Sequence, residues 1–106
     1  MAFKEIPKPA ETVEDITTLR IRIEGVVQGV GFRAFVLREA NARRLKGWVR
    51  NRMDGTLEAL ACGPTKQIES LISSCMQGPR GARVANIDLF VADAPKEPGF
   101  TLRPTL

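Results

Sequence analysis

The sequence predicts an α+β fold in which two helices cover one face of an antiparallel sheet of four or five strands. Three observations support this fold class. Several segments alternate apolar and polar residues, as strands with one buried face do. Two segments repeat apolar residues at the spacing of an amphipathic helix, and an Asp-Gly pair between strand-like segments indicates a hairpin. With 106 residues, the chain has room for one core and is too short for two ordinary domains.

The elements follow one another in a recognisable order. Residues 19–23 alternate as a first strand, and after a glycine-rich loop at 27–33 a helix should end near Arg43. Two further strands join at Asp54-Gly55, and a second helix ends at Gly78-Pro79. A fourth strand and a short fifth are expected at 85–91 and 100–103. This order is that of a ferredoxin-like βαββαβ sandwich, in whose core Trp48 is expected.

Composition limits the remaining possibilities. Residues 1–16, with two prolines and mixed charges, predict a flexible extension before a domain at 17–106. The first ten residues lack the apolar run of a signal peptide or membrane span, so we expect a cytoplasmic protein. Cys62 and Cys75 lack a Cys-x-x-Cys spacing and the chain has no histidine, so we expect no metal site and two reduced core cysteines.

The charge balance favours a small anionic partner. Sixteen Lys and Arg against twelve Asp and Glu give a formal charge of +4, which falls short of a nucleic-acid-binding signature. One tryptophan, five phenylalanines and no tyrosine also argue against an RNA-stacking surface. We expect a monomer that binds no nucleic acid and no membrane.

The loop at residues 28–33 predicts a phosphate cradle. Gly29 and Gly31 permit backbone angles that let consecutive amides converge, and the start of the following helix adds positive potential. Arg33 supplies a planar fork of donors for phosphate oxygens. The cradle residues are Gln28, Gly29, Val30, Gly31, Phe32 and Arg33. The alternative is a tight strand-to-helix connection in which Arg33 is merely solvated.

Two nucleotide motifs are less well supported. The segment 29–34 fits the loose pattern G-x-G-x-x-G/A, with Asp54 about twenty residues later, but a hairpin at Asp54 conflicts with the parallel second strand of a dinucleotide fold. A P-loop is disfavoured because no Gly-Lys-Ser/Thr follows.

Asn51, at the end of the second strand, can approach the glycine loop and orient a water. Its alternative role is a turn residue bonded to its own backbone.

A set of spaced motifs carries a family resemblance. They are Gly25-x-Val27-Gln28-Gly29-Val30-Gly31-Phe32-Arg33, Ala40, Gly47-Trp48-Val49-Arg50-Asn51-x-x-Asp54-Gly55-x-Leu57-Glu58, Gly63 and Gly78-Pro79-x-x-Ala82-x-Val84. Over roughly residues 19–100, the chain resembles the acylphosphatase family. The resemblance implies that the backbone N–H groups of 28–33 bind phosphate, that Arg33 holds the phosphoryl oxygens and that Asn51 positions the hydrolytic water.

The implied reaction is hydrolysis of an acyl phosphate to a carboxylate and inorganic phosphate, with neither a metal nor a cofactor. Two alternatives stay open: a non-catalytic phosphate-binding regulatory or interaction domain, and the related module of hydrogenase-maturation carbamoyltransferases, whose zinc fingers and further domains this chain lacks. One departure from the family pattern lies at Arg43-Arg44, where a leucine-glycine pair commonly ends the first helix. An arginine in a left-handed cap there should cost on the order of 1 kcal/mol.

Overall fold

The computed structural model describes residues 15–106, so most of the extension predicted at 1–16 lies outside the described residues. The elements in chain order are β1 (Ile16–Val26), α1 (Phe32–Ala42), β2 (Lys46–Asn51), β3 (Leu57–Pro64), α2 (Thr65–Gln77), β4 (Arg83–Val91) and β5 (Phe100–Leu102). No helix in this part of the chain is both long and apolar enough to cross a membrane.

The five strands form one sheet in the order β4-β1-β3-β2-β5. The first four strands pair antiparallel, and β5 pairs in parallel with β2. The predicted ferredoxin-like fold is confirmed, except that the fifth strand makes the sheet mixed. The reason is the connection at residues 92–99, which leads from the end of β4 at one edge to the opposite edge. β5 therefore begins at the same end of the sheet as β2.

The core lies between the two helices and one face of the sheet. Alternate residues of the central strands are buried there, among them Ile21, Ile23, Leu57 and Ala59, as the period of two predicts. The helices cover them with Phe32, Val36, Ala40, Ile68, Leu71 and Cys75. Both cysteines are free and buried, as predicted. Burial raises the pKa of Cys75 to about 12; Glu39 contributes in the same direction, and Arg43 opposes it.

Trp48 lies on the opposite, helix-free face, so the prediction that it belongs to the core is wrong. Its neighbours Gly47 and Val49 are buried on the core side, and alternation directs Trp48 to the other face. There the guanidinium carbons of Arg50 and Arg103 lie 4.6 and 4.8 Å from its ring centroid. Cation–π contacts to two arginines thus replace core packing at this position.

The end of α1 departs from the family pattern at Arg43-Arg44, as expected from the sequence. Arg44 has a φ of 57°, in the left-handed region where glycine is preferred. The preceding residue, Arg43, connects α1 with α2. Its guanidinium donates to the Glu39 side chain and backbone in α1 and to the hydroxyls of Ser70 and Ser74 in α2. An arginine pair therefore ends this helix, with the first member bonded across the helices and the second in a strained conformation.

Candidate functional site

A pocket of about 210 Å³ opens at the end of the sheet where β1 leads into α1. Its lining residues are Val27, Gly29, Gly31, Phe32, Arg33, Ala34, Asn51 and Leu102. β1 and β2 both run antiparallel to β3, so their final residues lie at the same end of the sheet. This topology brings the glycine loop, which follows β1, next to Asn51, the last residue of β2.

The loop has the backbone conformation that its glycines predict. Gly29 and Gly31 have φ values of 76° and 79°. Apart from the adjacent residues, no atom of the described chain lies within 4 Å of the place where a Cβ would stand at either position. Conformation rather than crowding therefore favours glycine at both positions. A left-handed residue next to ordinary backbone produces the concave arrangement of amides that binds anions in many proteins.

The first turn of α1 leaves backbone donors open beside the pocket. Gly31 is the N-cap, and no side chain among residues 15–106 caps the helix. The first helical hydrogen bond runs from the amide of Phe35 to the carbonyl oxygen of Gly31 (3.0 Å). The amides of Phe32, Arg33 and Ala34 precede that bond and therefore have no acceptor within the helix. All three residues line the pocket, which gives it donors and the positive end of the helix dipole.

Arg33 adds a full positive charge to these partial charges. It lies in the first turn of α1 and is half-buried. Within residues 15–106, no carboxylate forms an ion pair with its guanidinium. The N–H donors of the Arg33 guanidinium are thus available to a ligand in the pocket.

Asn51 faces the same pocket from the end of β2. Its carboxamide makes no hydrogen bond with any other group in the described part of the chain, so the structure does not support its use as a turn residue bonded to its own backbone. The turn is closed by Asp54 instead, whose Oδ1 accepts from the amide and hydroxyl of Thr56 (3.0 and 2.6 Å). These two hydrogen bonds lower the pKa of Asp54.

The backbone of Asn51 is held by residues 103–106, which continue alongside β2. The amide of Leu106 donates to the carbonyl oxygen of Asn51 (3.2 Å), and the amide of Met53 donates to the carbonyl oxygen of Leu106 (2.9 Å). Leu102, just before this segment, lines the pocket. The sequence does not single out Leu102, because a three-residue strand carries no signal for which neighbour it joins.

Two of the predicted cradle residues do not line the pocket. Val30 is half-buried and packs against the core. Gln28 extends towards the β2–β3 turn, where its Nε2 donates to the carbonyl oxygens of Arg52 (2.7 Å) and Thr56 (2.9 Å). The pocket therefore brings together Gly29, Gly31, Phe32, Arg33 and Asn51, and leaves the Gln28 side chain attached to the hairpin.

A buried carboxylate supports the strand that carries Asn51. Glu58, 6% exposed on β3, accepts from Arg50 Nε (2.8 Å), Arg52 Nη1 (3.2 Å) and Arg20 Nη1 (3.3 Å). Burial raises the pKa of Glu58, but the hydrogen bond from Arg50 and the charges of Arg50 and Arg52 outweigh it, so the pKa lies below its usual value. Arg50 and Arg52 flank Asn51, so this network fixes the strand on both sides of it.

No group of three or more His, Cys, Asp or Glu side chains suited to a metal ion occurs among residues 15–106. The charged and polar groups of the pocket itself are one guanidinium, one carboxamide and backbone amides. Such a set of donors can hold three oxygens of a phosphoryl group and orient a water beside it.

A family model, a related sequence and a solved structure all relate this chain to the same family. The family model described as Acylphosphatase matches residues 19–102. An acylphosphatase of Rhodospirillum rubrum is 45% identical over 84% of this chain and 98% of that protein. The crystal structure of acylphosphatase from Bacillus subtilis is 37% identical, with a TM-score of 0.78 over 84% of this chain and 99% of the other.

A structure of full-length HypF in a phosphate- and nucleotide-bound form is 32% identical, with a TM-score of 0.80. The match covers 88% of this chain and 12% of that one. The resemblance to HypF is thus confined to one short region of a much longer protein.

Proposed function

The chain belongs to the acylphosphatase family and hydrolyses acyl phosphates, and we propose that it does so by direct attack of a water held by Asn51 on a phosphoryl group held by Arg33 and the loop amides. The observation that carries this proposal is the shared pocket. A guanidinium from α1, open amides of its first turn and a carboxamide from β2 face one cavity of about 210 Å³. Within residues 15–106, that carboxamide makes no hydrogen bond.

The cradle acts on the phosphoryl end of the substrate. Three equatorial oxygens carry the charge of the transition state, and Arg33 with the amides of residues 29–33 supplies donors for them. Phosphate binding by the loop at 28–33 thus combines one charged side chain with main-chain N–H groups. The Gln28 and Val30 side chains lie outside the pocket, so any contribution from these two residues to phosphate binding comes from their backbone.

Asn51 acts on the nucleophile. A carboxamide can accept one hydrogen bond from a water and donate another, so it fixes the position of the water without being a base. The water oxygen forms a bond to phosphorus while the bond from phosphorus to the carboxylate oxygen breaks. The proton of the water passes to an oxygen of the transferred phosphoryl group, and the products are a carboxylate and inorganic phosphate.

The reaction needs neither a metal nor a cofactor in this proposal. The leaving group is a carboxylate, which is stable as an anion, so no acid is required to protonate it. The charge that a metal would neutralise is met by Arg33 and the helix start. The sequence-based expectation of a cytoplasmic monomer, acting on a small acyl phosphate and binding inorganic phosphate as its product, belongs to the same proposal.

The test is hydrolysis of a simple acyl phosphate in the presence of a metal chelator, beside a phosphate monoester as the second substrate. We expect rapid release of inorganic phosphate from the acyl phosphate alone, with the same rate before and after chelation. Loss of the rate on chelation would contradict metal independence. Equal cleavage of the monoester would contradict the use of an activated leaving group.

A further inference from the structure

Resting on the proposed function, we infer that the Gln28 side chain is a positioning residue that fixes the hairpin bearing Asn51 against the glycine loop, and that it does not itself bind the phosphoryl group. Gln28 directly precedes Gly29, the first glycine of the cradle. Its side chain reaches the turn between β2 and β3, which follows Asn51 directly. One side chain thus connects the group that holds phosphate with the residue that holds water.

Both donors of the Gln28 carboxamide are in use. Its Nε2 lies 2.7 Å from the carbonyl oxygen of Arg52 and 2.9 Å from that of Thr56, both within the ordinary range for hydrogen bonds. A carboxamide NH2 has two N–H groups, and these two acceptors occupy them. The remaining polar atom of the side chain, Oε1, is an acceptor, which a phosphoryl oxygen repels. The side chain therefore has nothing left with which to hold an anion.

The two carbonyl groups that Gln28 binds are those that close the turn. The amide of Arg52 donates to the carbonyl oxygen of Thr56 (2.8 Å), and the amide of Gly55 donates to that of Arg52 (3.0 Å). Each oxygen thus accepts one bond from within the turn and one from Gln28. Because both lone pairs of each carbonyl are engaged, the loop and the turn are joined through a fully bonded set of groups.

Other contacts hold Asn51 against the sheet but not against the loop. Glu58 binds the guanidinium groups of Arg50 and Arg52 on the helix-free face, and Leu106 binds the backbone of Asn51 from the neighbouring segment. Neither contact reaches residues 28–31. Among the hydrogen bonds of residues 15–106, those of Gln28 directly join residues 28–31 to the β2–β3 turn. They therefore bear on the distance between the cradle and the Asn51 carboxamide, on which in-line attack depends.

The first variant is Gln28→Leu, which keeps the size of the side chain and removes both donors. We expect kcat to fall by about 10- to 100-fold, the scale of a misplacement approaching 1 Å. The Kd of inorganic phosphate, measured by calorimetry, should stay within about two-fold of the wild-type value because the cradle keeps its own donors. The matched control is Gln67→Leu at an exposed position of α2, which should change neither quantity.

A double-mutant cycle on kcat identifies the residue through which Gln28 acts. Adding Gln28→Leu to Asn51→Ala should lower kcat by less than about two-fold more, because the group that Gln28 positions is already gone. If Gln28→Leu lowers kcat by as large a factor in the Asn51→Ala protein as in the wild-type protein, the inference is overturned. A drop in phosphate affinity that parallels the drop in kcat would also overturn it. Unchanged kcat in a folded Gln28→Leu protein would overturn it as well.

The second variant is Gln28→Glu, which replaces the first if the Gln28→Leu protein does not fold. An ionised glutamate presents only acceptors to the two carbonyl oxygens, whereas protonation restores one O–H donor. The ratio of variant to wild-type kcat should therefore rise as the pH falls towards about 5, because the neighbouring carbonyls favour the protonated acid. A ratio that does not change with pH would contradict the positioning role.

The outcomes separate this inference from the function on which it rests. Absence of acyl phosphate hydrolysis by the wild-type protein would remove the proposed function itself. A wild-type protein that is active, with Asn51→Ala impaired and Gln28→Leu fully active, would remove only the role of Gln28.

Discussion

The two helices of the fold begin in different ways, and the difference explains where the site lies. α2 starts directly after β3, and the amide of its first residue, Thr65, donates to the carbonyl oxygen of Asp15 (2.9 Å). α1 starts after a glycine loop, and within residues 15–106 no protein group accepts from the amides of Phe32, Arg33 and Ala34. In the part of the chain that the structure describes, neither helix has a side-chain cap at its start.

The first amide of α2 is therefore used inside the fold, whereas the first-turn amides of α1 stay open beside a pocket. Such donors cost free energy unless water or a ligand satisfies them. Lack of a side-chain cap is thus insufficient to mark a binding site, because both helices share it. What distinguishes α1 is the combination of open amides, a left-handed loop and an arginine that no carboxylate of the described chain neutralises.

The largest expected difference between the two helices comes from removing the cation at the second position of each, Arg33 in α1 and Lys66 in α2. Arg33→Ala should weaken the binding of inorganic phosphate by about 1.5–3 kcal/mol, roughly 10- to 150-fold in Kd, because a charged hydrogen-bonding partner is lost. Lys66→Ala, at the second position of α2, is the matched control and should leave the affinity unchanged. Calorimetric titration measures both, and equal effects of the two substitutions would contradict the difference between the helices.

The hairpin that faces α1 should lose stability when its buried carboxylate is removed. Glu58→Gln is expected to lower the free energy of unfolding at pH 7 by about 1.5–3 kcal/mol, because Arg50 and Arg52 lose a charged acceptor. Glu69→Gln at an exposed position of α2 is the control. Urea denaturation measures both proteins, and a Glu58→Gln variant as stable as the control would contradict a role for this network in holding the Asn51 strand.

The pH dependence of the Glu58 effect has a definite sign. The pKa of Glu58 in the folded protein lies below its usual value, so its contribution to stability is complete above the unfolded pKa of about 4.3. The contribution is lost as the pH falls through the lower, folded pKa. The stability difference between the wild-type protein and Glu58→Gln should therefore be constant at neutral pH and shrink in acid. A difference that grows in acid would have the wrong sign.

A smaller effect separates the two N-cap positions. Gly31 has φ 79° and ψ 22°, whereas Pro64 has φ −56° and ψ 136°, which other residues adopt readily. Gly31→Ala should destabilise the protein by about 1–2 kcal/mol through backbone strain, since no described residue crowds the added Cβ. Pro64→Ala should cost less than about 1 kcal/mol, mainly through the unfolded chain. Similar losses in urea denaturation would show that the α1 cap is not strained.

The smallest effect concerns the helix ends. Gly78, which follows the last residue of α2, has a φ of 68°, whereas Arg44, two residues after the end of α1, has a φ of 57°. Arg44→Gly should relieve this strain and raise the free energy of unfolding by about 1 kcal/mol. Arg38→Gly, in the interior of α1, should instead lower it by about the same amount through helix propensity. A melting temperature that falls in both variants would contradict the strain at Arg44.

The sequence predicts the elements well because periodicity and turn residues are local signals. The alternation in β1, the helical spacing of the buried Ile68, Leu71 and Cys75, and the Asp54-Gly55 turn each agree with the structure. The loop and Asn51 were predicted to meet because strand order determines which ends of strands are neighbours. These predictions depend on residues within one element or on the topology of the whole sheet.

Features that depend on the exact register and pairing of the strands were not predicted. Trp48 is a separate case: it was expected in the core as an aromatic residue, although the local alternation with Gly47 and Val49 directs it to the other face. The contacts of Glu58 require the register between β2 and β3, and the place of Leu102 requires the parallel pairing of β5. Register and strand pairing follow from tertiary packing, which a single sequence specifies only weakly.

The central claim is that one end of α1 holds the phosphoryl group while Asn51 independently holds the water. Asn51→Ala tests it most directly when turnover and phosphate binding are measured on the same folded protein. We predict that kcat falls by about 10² or more, as on losing one transition-state donor, while the Kd of inorganic phosphate stays within about two-fold of the wild-type value. Near-normal turnover in this variant would contradict the account.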